Sequence, residues 1–144
     1  MKISTKGRYA LRLMLDLASN NNGDPISLKD VAARQGISDK YLEQIIAMLN
    51  KAGFVRSIRG AQGGYMLRRR PDEYTVGEIL RLTEGSLAPV ACVEDEELSC
   101  ERANACVTVM VYKKINDAIN SVVDNITVQD LLDWQNEKNG EYII

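Results

Sequence analysis

A short local pattern recurs along the chain: an apolar residue, then Ser or Thr, then a second apolar residue five positions after the first. It begins at Ile26, Ile37, Tyr74 and Ile126. The hydroxyl can accept a hydrogen bond from an otherwise unpaired backbone N–H at a helix start, and the two apolar residues can pack together. The pattern therefore predicts four helix starts and a mostly helical protein.

Apolar periodicity and the glycines between the apolar segments define the other elements. We expect a mainly α fold with a small β-wing: a winged helix-turn-helix followed by a long C-terminal dimerisation helix. The predicted domains are a DNA-binding unit at 1–85, a cysteine-bearing sensor loop at 86–106, and a dimerisation helix with a C-terminal helix at 107–144. The predicted helices cover about 4–20, 27–35, 38–51, 75–84, 107–124 and 127–136, and the predicted strands 54–59 and 65–67.

A helix-turn-helix is predicted between residues 27 and 51. Ala32 is small enough for two helix backbones to approach, and Gly36, four positions later, accepts the unusual φ of a tight turn. The apolar residues of the second helix then face inward, while Lys40, Glu43 and Gln44 face outward. Such side chains can read base edges in the major groove. The same spacing is also compatible with a simple packing hairpin whose outer face is solvated.

The segment after the second helix is typical of a wing. Arg56 and Arg59 stand in a short strand, and Gly60, Gly63 and Gly64 form the turn. We expect both arginines on one face of the strand and a glycine tip that can approach the sugar-phosphate chain, with an arginine entering a narrow minor groove. The alternative is a glycine-rich hairpin with ordinary surface arginines.

Charge is distributed unevenly between the two halves of the chain. Residues 1–70 hold 13 Lys and Arg against 5 Asp and Glu, whereas residues 71–144 hold 5 against 15. A basic half favours a polyanionic partner, although chance clustering gives the same counts. The chain has no histidine, the commonest general base, and no nucleophile motif, so we expect no enzyme. A protein-interaction module with a winged fold is the remaining alternative.

A stripe of apolar residues predicts dimerisation through the late helix. It recurs at spacings of four and three and consists of Val107, Val111, Ile115, Ala118, Val122 and Ile126. So broad a face favours pairing with a second copy, although an intramolecular core helix has the same pattern.

All three cysteines, Cys92, Cys100 and Cys106, fall in or at the end of the acidic loop. No segment is long and apolar enough to span a membrane, and no signal peptide is evident, so we expect a cytoplasmic protein whose cysteines are thiols or metal ligands. Thiolates hold iron–sulfur clusters, but zinc, a redox thiol switch and three unrelated thiols are also possible.

Three blocks of residues together resemble the Rrf2 family of bacterial transcriptional regulators, in pattern most closely its iron–sulfur cluster regulators. The blocks are Met1–Ala10, Tyr41–Gln44 and Ile58–Tyr65. The resemblance implies a homodimeric regulator, mainly a repressor, that binds a pseudo-palindromic operator in double-stranded DNA. It implies phosphate contacts from Lys6 and Arg8. It also implies DNA contacts from a larger set: Ser38, Lys40, Tyr41, Glu43, Gln44 and Arg59.

The resemblance further implies an iron–sulfur cluster on Cys92, Cys100 and Cys106, with [2Fe–2S] favoured and [4Fe–4S] possible. The sequence departs from the family at the fourth ligand. Cluster-binding members use a histidine shortly after the third cysteine, where Val109 stands here, or an aspartate near position 8, which is Arg8 here. The fourth ligand is therefore unknown. Acidic side chains of the loop, an external thiol and a partner-chain residue are candidates.

Overall fold

All four helix starts predicted from the local pattern are found in the structure. In a computed structural model, which describes residues 2–95, 102 and 105–141, the hydroxyls at all four predicted starts accept a backbone hydrogen bond. Each bond is 3.1–3.2 Å long and comes from the residue three positions later. At Thr75 and Thr127 the acidic side chain of that later residue also accepts the cap backbone N–H, which closes a capping box.

The fold is mainly helical with one small antiparallel sheet, as the sequence predicts. The helices are α1 (Thr5–Ser19), α2 (Leu28–Gln35), α3 (Asp39–Lys51), α4 (Val76–Glu84), α5 (Val109–Val123) and α6 (Val128–Glu141). The strands are β1 (Val55–Ile58) and β2 (Gly64–Leu67), paired so that Val55 lies opposite Leu67. Short 3₁₀ turns occur at Pro71–Glu73 and Ala91–Val93.

The last two helices differ from the prediction at their ends. Helix α5 begins at Val109 rather than at Val107, which precedes the helix and is 76% exposed. Helix α6 continues to Glu141 rather than ending near Asn136. Its last residues are polar and carry no apolar stripe, so periodicity could not extend the prediction through them.

Two apolar clusters hold these elements together. The larger one packs α1, α2 and α3 with the start of β1, and it includes Val128 of α6. Tyr74 is fully buried in this cluster, where its hydroxyl donates to the Phe54 carbonyl at 2.6 Å. The smaller cluster joins Val76, Leu80 and Leu87 to the inner face of α5. Of the C-terminal helices, α6 thus packs onto α1 and α5 packs onto α4.

None of the helices in the described part of the chain is both long and apolar enough to cross a membrane.

Candidate DNA-binding surface and cysteine loop

Helix α3 presents a polar face to solvent and an apolar face to the core. Leu42, Ile45, Ile46 and Leu49 are buried. Lys40, Glu43 and Gln44 are exposed, and their spacings of three and four place them on one side of the helix. This face has the donors and acceptors that base edges require: an amide, a carboxylate and an ammonium group.

The turn that precedes α3 has the geometry that the sequence predicts. Gly36 adopts φ 65° and ψ 35°, a left-handed conformation that glycine reaches without a Cβ penalty. The Ala32 carbonyl accepts from the Gly36 N–H at 2.9 Å and from the Ile37 N–H at 3.3 Å. These bonds close α2 and direct the chain into α3.

Two of the predicted DNA-contacting residues have structural partners at the start of α3. Ser38 is exposed, and its hydroxyl accepts from the Tyr41 N–H at 3.2 Å as the helix cap. Tyr41 is half-buried, with its ring edge-on to Tyr9 of α1 at 5.5 Å between centroids. The packing of Tyr41 therefore links α1 to the first turn of α3.

Two basic residues that were predicted to contact phosphates lie in the first turn of α1. Arg8 is exposed, with its guanidinium donating to the Thr5 hydroxyl at 3.0 Å, and Lys6 is half-buried. Ser4 caps the helix, and its N–H and hydroxyl donate to Glu84 of α4 at 3.1 and 2.5 Å. The N-terminus of α1 is thus fastened to the end of α4.

The wing carries Arg56, Arg59 and Gly60, all of which are exposed. Arg56 lies on β1 and leans on Met66 across the sheet, with 3.7 Å between its Nη2 and the Met66 Sδ. Arg59 follows the last residue of β1 and is three positions from Arg56. The expectation that strand alternation places both arginines on one face is therefore wrong, since alternation pairs residues two positions apart.

Two cysteines of the loop lie within the described residues, and Cys100 lies outside them. Cys92, in the 3₁₀ turn, and Cys106, three residues before α5, are both free, partly exposed thiols. A hydrogen bond between the Cys106 thiol and the Thr108 hydroxyl, 3.2 Å between S and O, lowers the pKa of Cys106. Among residues 2–95, 102 and 105–141, no group of three His, Cys, Asp or Glu side chains is placed to hold a metal ion. The donor chemistry nevertheless suits a cluster, because thiolates are its usual protein ligands.

Helix α5 leaves an apolar face open to solvent. Val111 is 54% exposed, Ile115 42% and Val122 56%, and Ala118 between them is exposed as well. A neighbouring face of α5 packs on α4, and two hydrogen bonds from Arg81 to Asp124 also join the two helices. These bonds raise the pKa of Arg81.

Comparison with known proteins shows the family to which the chain belongs. The model of the Rrf2 family, described as an iron-dependent transcriptional regulator, matches residues 3–134. The transcriptional regulator CymR of Bacillus subtilis is 41% identical over 143 residues, covering 99% of this chain and 98% of CymR. The chain belongs to the Rrf2 family. It is a regulator of transcription rather than an enzyme.

Other Rrf2 proteins give the same family and fold. IscR of Aliivibrio salmonicida is 39% identical, covering 92% of this chain and 77% of IscR. The solved structure of B. subtilis CymR, described as the global cysteine regulator, superimposes with a TM-score of 0.78, covering 93% of this chain and 98% of CymR. That of T. potens IscR superimposes with 0.77 at 44% identity, covering 96% of this chain and 90% of IscR. Both CymR and IscR relatives are thus similar to this Rrf2 chain to nearly the same degree.

Sequence reasoning missed one charged group in this Rrf2 fold. Asp16 is 2% exposed and accepts two hydrogen bonds from Arg34, which raise the pKa of Arg34. The sequence contained one sign of it: Asp16 is a carboxylate in an otherwise apolar stretch of α1. A carboxylate buried in such a stretch needs hydrogen-bond partners.

Proposed function

We propose that this protein is a homodimeric, sequence-specific DNA-binding regulator, mainly a repressor, that acts in the cytoplasm. The observation that carries the proposal is the exposed face of α3, with Lys40, Glu43 and Gln44 on one side of a helix that follows a left-handed glycine turn. A helix held in this way can enter the major groove with its N-terminal residues against base edges. Ser38 and Tyr41, at the start of α3, would lie closest to the DNA backbone.

The wing and the start of α1 extend this surface. Arg59 and Gly60 form the exposed tip region beside β1, and Arg56 lies on the strand itself. Lys6 and Arg8 stand in the first turn of α1, shortly before Tyr9 in the sequence. Their positive charges suit the phosphates that flank a recognition helix. The surplus of Lys and Arg in residues 1–70 supports the same assignment.

We infer that α5 pairs with α5 of a second copy. Four consecutive positions of the predicted stripe are exposed on the isolated chain, and Ala118 among them is small enough for close helix approach. An apolar face of this extent is typical of an interaction surface. Pairing would give a two-fold symmetric protein, which suits a pseudo-palindromic operator in double-stranded DNA. The functional units would then be residues 1–85, 86–106 and 107–144.

We further propose that Cys92, Cys100 and Cys106 hold an iron–sulfur cluster, [2Fe–2S] in preference to [4Fe–4S], with a fourth ligand not yet identified. Whether the cluster is present would depend on iron supply and on oxidants, so the cluster could act as the sensing group. The family description as iron-dependent and the IscR relatives support it. Cys92 follows α4 and Cys106 precedes α5, so joint ligation would hold together the two ends of the loop that connects these helices. Such a constraint changes DNA binding only where the two states differ in dimer geometry.

A regulator without a cluster is the second candidate. One observation favours it: the B. subtilis CymR relative, at 41% identity, is described as the global cysteine regulator. In this case the thiols would respond to redox or cysteine status by oxidation, or would bind zinc, or the loop would bind a protein partner.

Selection from a library of random duplexes tests the DNA-binding proposal. The full-length protein, with and without anaerobic loading with iron and sulfide, is expected to enrich an inverted repeat. Gln44→Ala, run in parallel, is expected to enrich a repeat that is degenerate at one base pair of each half-site. A library that stays random in both states at low salt would overturn the proposal.

A further inference from the structure

Asp16 is the one buried charged side chain in the described part of the chain, and it joins α1 to the end of α2. Its carboxylate accepts from Arg34 Nε at 3.1 Å and Arg34 Nη2 at 2.8 Å. It also accepts from Gln35 Nε2 at 2.9 Å. Arg34 and Gln35 are the last two residues of α2, directly before the Gly36 turn. Asn20 Nδ2, at the end of α1, donates to the same carboxylate at 3.4 Å. The shorter bonds all come from the segment that sets the direction of α3.

Gln35 is held at both ends of its amide. While its Nε2 donates to Asp16, its Oε1 accepts from Arg12 Nε at 3.1 Å. Arg12 Nη2 also donates to the backbone carbonyl of Gln35, one of the carbonyls that a helix end leaves unpaired. Arg12 and Asp16 are four residues apart on α1, so one face of that helix binds the end of α2 from two sides.

The same face of α1 also contacts the start of α3. The Arg12 guanidinium lies over the Tyr9 ring at 5.3 Å, and the Tyr9 ring meets Tyr41 edge-on at 5.5 Å. Residues 9, 12 and 16 are spaced as i, i+3 and i+7, which is one side of a helix. Both sides of the Gly36 turn are therefore attached to a single row of side chains on α1.

The side chains of this row, together with the Gln35 amide that they bind, are called the polar row. The polar row can fix the relative orientation of helices, which the apolar core does less strictly. Apolar burial is non-directional and allows helices to slide or rotate slightly without large cost. A bidentate guanidinium–carboxylate pair and an amide with both ends bonded have fixed geometry. A recognition site must be held to within roughly 0.5 Å of its productive position. The polar row is thus suited to fixing the orientation of α3 rather than to adding stability.

We propose that Asp16 and Gln35 are positioning residues that set the orientation in which α3 is presented to DNA, and so determine operator specificity without touching DNA. The proposal rests on the proposed DNA-binding function. Its consequence is a selective effect. Loss of the row should weaken binding to the preferred sequence and leave attraction to phosphates unchanged, because the latter depends on exposed charge and not on the angle of α3.

The test compares two variants of the row with a control variant of the core. Asp16→Asn keeps the shape and removes the charge, and Gln35→Met keeps the length and removes both ends of the amide. Ile79→Val, in a fully buried position of α4, is the control for loss of stability alone. Affinity is measured by fluorescence anisotropy for the duplex that the parent selects and for a scrambled duplex of the same composition. All measurements are made at a temperature where each variant is fully folded.

Both row variants are expected to lose about tenfold or more in affinity for the selected duplex, as loss of a charge-assisted hydrogen bond would produce. Binding to the scrambled duplex should stay within about twofold, and Ile79→Val should change neither value. Should Asp16→Asn fail to fold, Gln35→Met, which alters a neutral, half-buried side chain and leaves the charge unchanged, decides the question. Variants that keep the parent's ratio of the two affinities, or a control that loses it equally, would overturn the proposal. A parent that does not distinguish the two duplexes would instead overturn the proposed function on which it rests.

Discussion

Ile26 and Tyr65 exchange both of their backbone hydrogen bonds, although they are 39 positions apart in the sequence. The Tyr65 N–H donates to the Ile26 carbonyl at 2.8 Å, and the Ile26 N–H donates to the Tyr65 carbonyl at 3.0 Å. Ile26 directly precedes Ser27, the cap of α2. This pair of hydrogen bonds therefore attaches β2 of the wing to the start of the helix-turn-helix. It helps to fix the position of one candidate DNA-reading element relative to the other.

Gly64→Ala should weaken this attachment. A Cβ at position 64 would overlap the backbone carbonyl of Ile26 and approach the Ser27 nitrogen to 2.9 Å, and backbone atoms cannot move aside as a side-chain end can. We expect the free energy of unfolding in urea to fall by about 1–3 kcal/mol. Gly140→Ala is the matched control, since a Cβ there meets nothing within 4 Å and the residue lies in α6. Equal free energies of unfolding for the two variants would show that the backbone of Ile26 leaves room for a methyl group at position 64.

The helix starts were predictable because a cap is a local event. Ser27, Ser38, Thr75 and Thr127 each bond a residue only three positions away, so the pattern in the sequence contains both partners. The core face of α3 was predictable for the same reason, since periodicity alone separates Leu42 and Ile45 from Gln44.

The contacts that the sequence did not predict are long-range. Asp16 and Arg34 are 18 positions apart, and nothing local indicates which cation the buried carboxylate will meet. The strand was expected to continue to Arg59, whereas it ends at Ile58. The placement of Arg56 and Arg59 on one face was wrong because they are three positions apart. The ends of strands depend on the geometry of the following turn, here the glycine turn that begins at Gly60. The DNA contacts and the cysteine site remain predictions.

Arg59→Ala should weaken binding to the selected duplex by about 1–3 kcal/mol, because an arginine at the wing tip contacts a base edge or a narrow minor groove. Arg70→Ala removes the same charge from an exposed arginine that is paired with Asp72 at 3.3 Å, beyond the wing. We expect this control to bind like the parent in an anisotropy titration at fixed salt. An equal loss in both variants would indicate that Arg59 contributes only general positive charge.

Ile115→Lys should convert the protein to a monomer. It places a charge in the centre of the exposed apolar face of α5, where a second copy would have to bury it. Asp117→Lys introduces the same side chain at an exposed position on another face of the helix and changes the charge more. Sedimentation equilibrium is expected to give the dimer mass for the parent and for Asp117→Lys, and the monomer mass for Ile115→Lys. A dimer that survives Ile115→Lys would place the interface elsewhere.

The three cysteines should each be required for a coloured protein. After anaerobic reconstitution with iron and sulfide, we expect visible absorbance together with bound iron and sulfide, and a loss of both in Cys92→Ala, Cys100→Ala and Cys106→Ala. Zinc bound to thiolates would give no colour, so metal analysis of the parent separates the two metals. A colourless parent, or full cluster content in all three variants, would favour the thiol-switch alternative.

The central claim is that two copies of this chain read DNA through α3 and the wing. Hydroxyl-radical footprinting of the full-length protein on the duplex that it selects tests this claim most directly. Two recognition helices related by a two-fold axis should protect two symmetric half-sites whose centres are about 10 base pairs apart or a multiple of that distance. A single unpaired block of protection, or none at protein concentrations that saturate the duplex in anisotropy, would contradict the account.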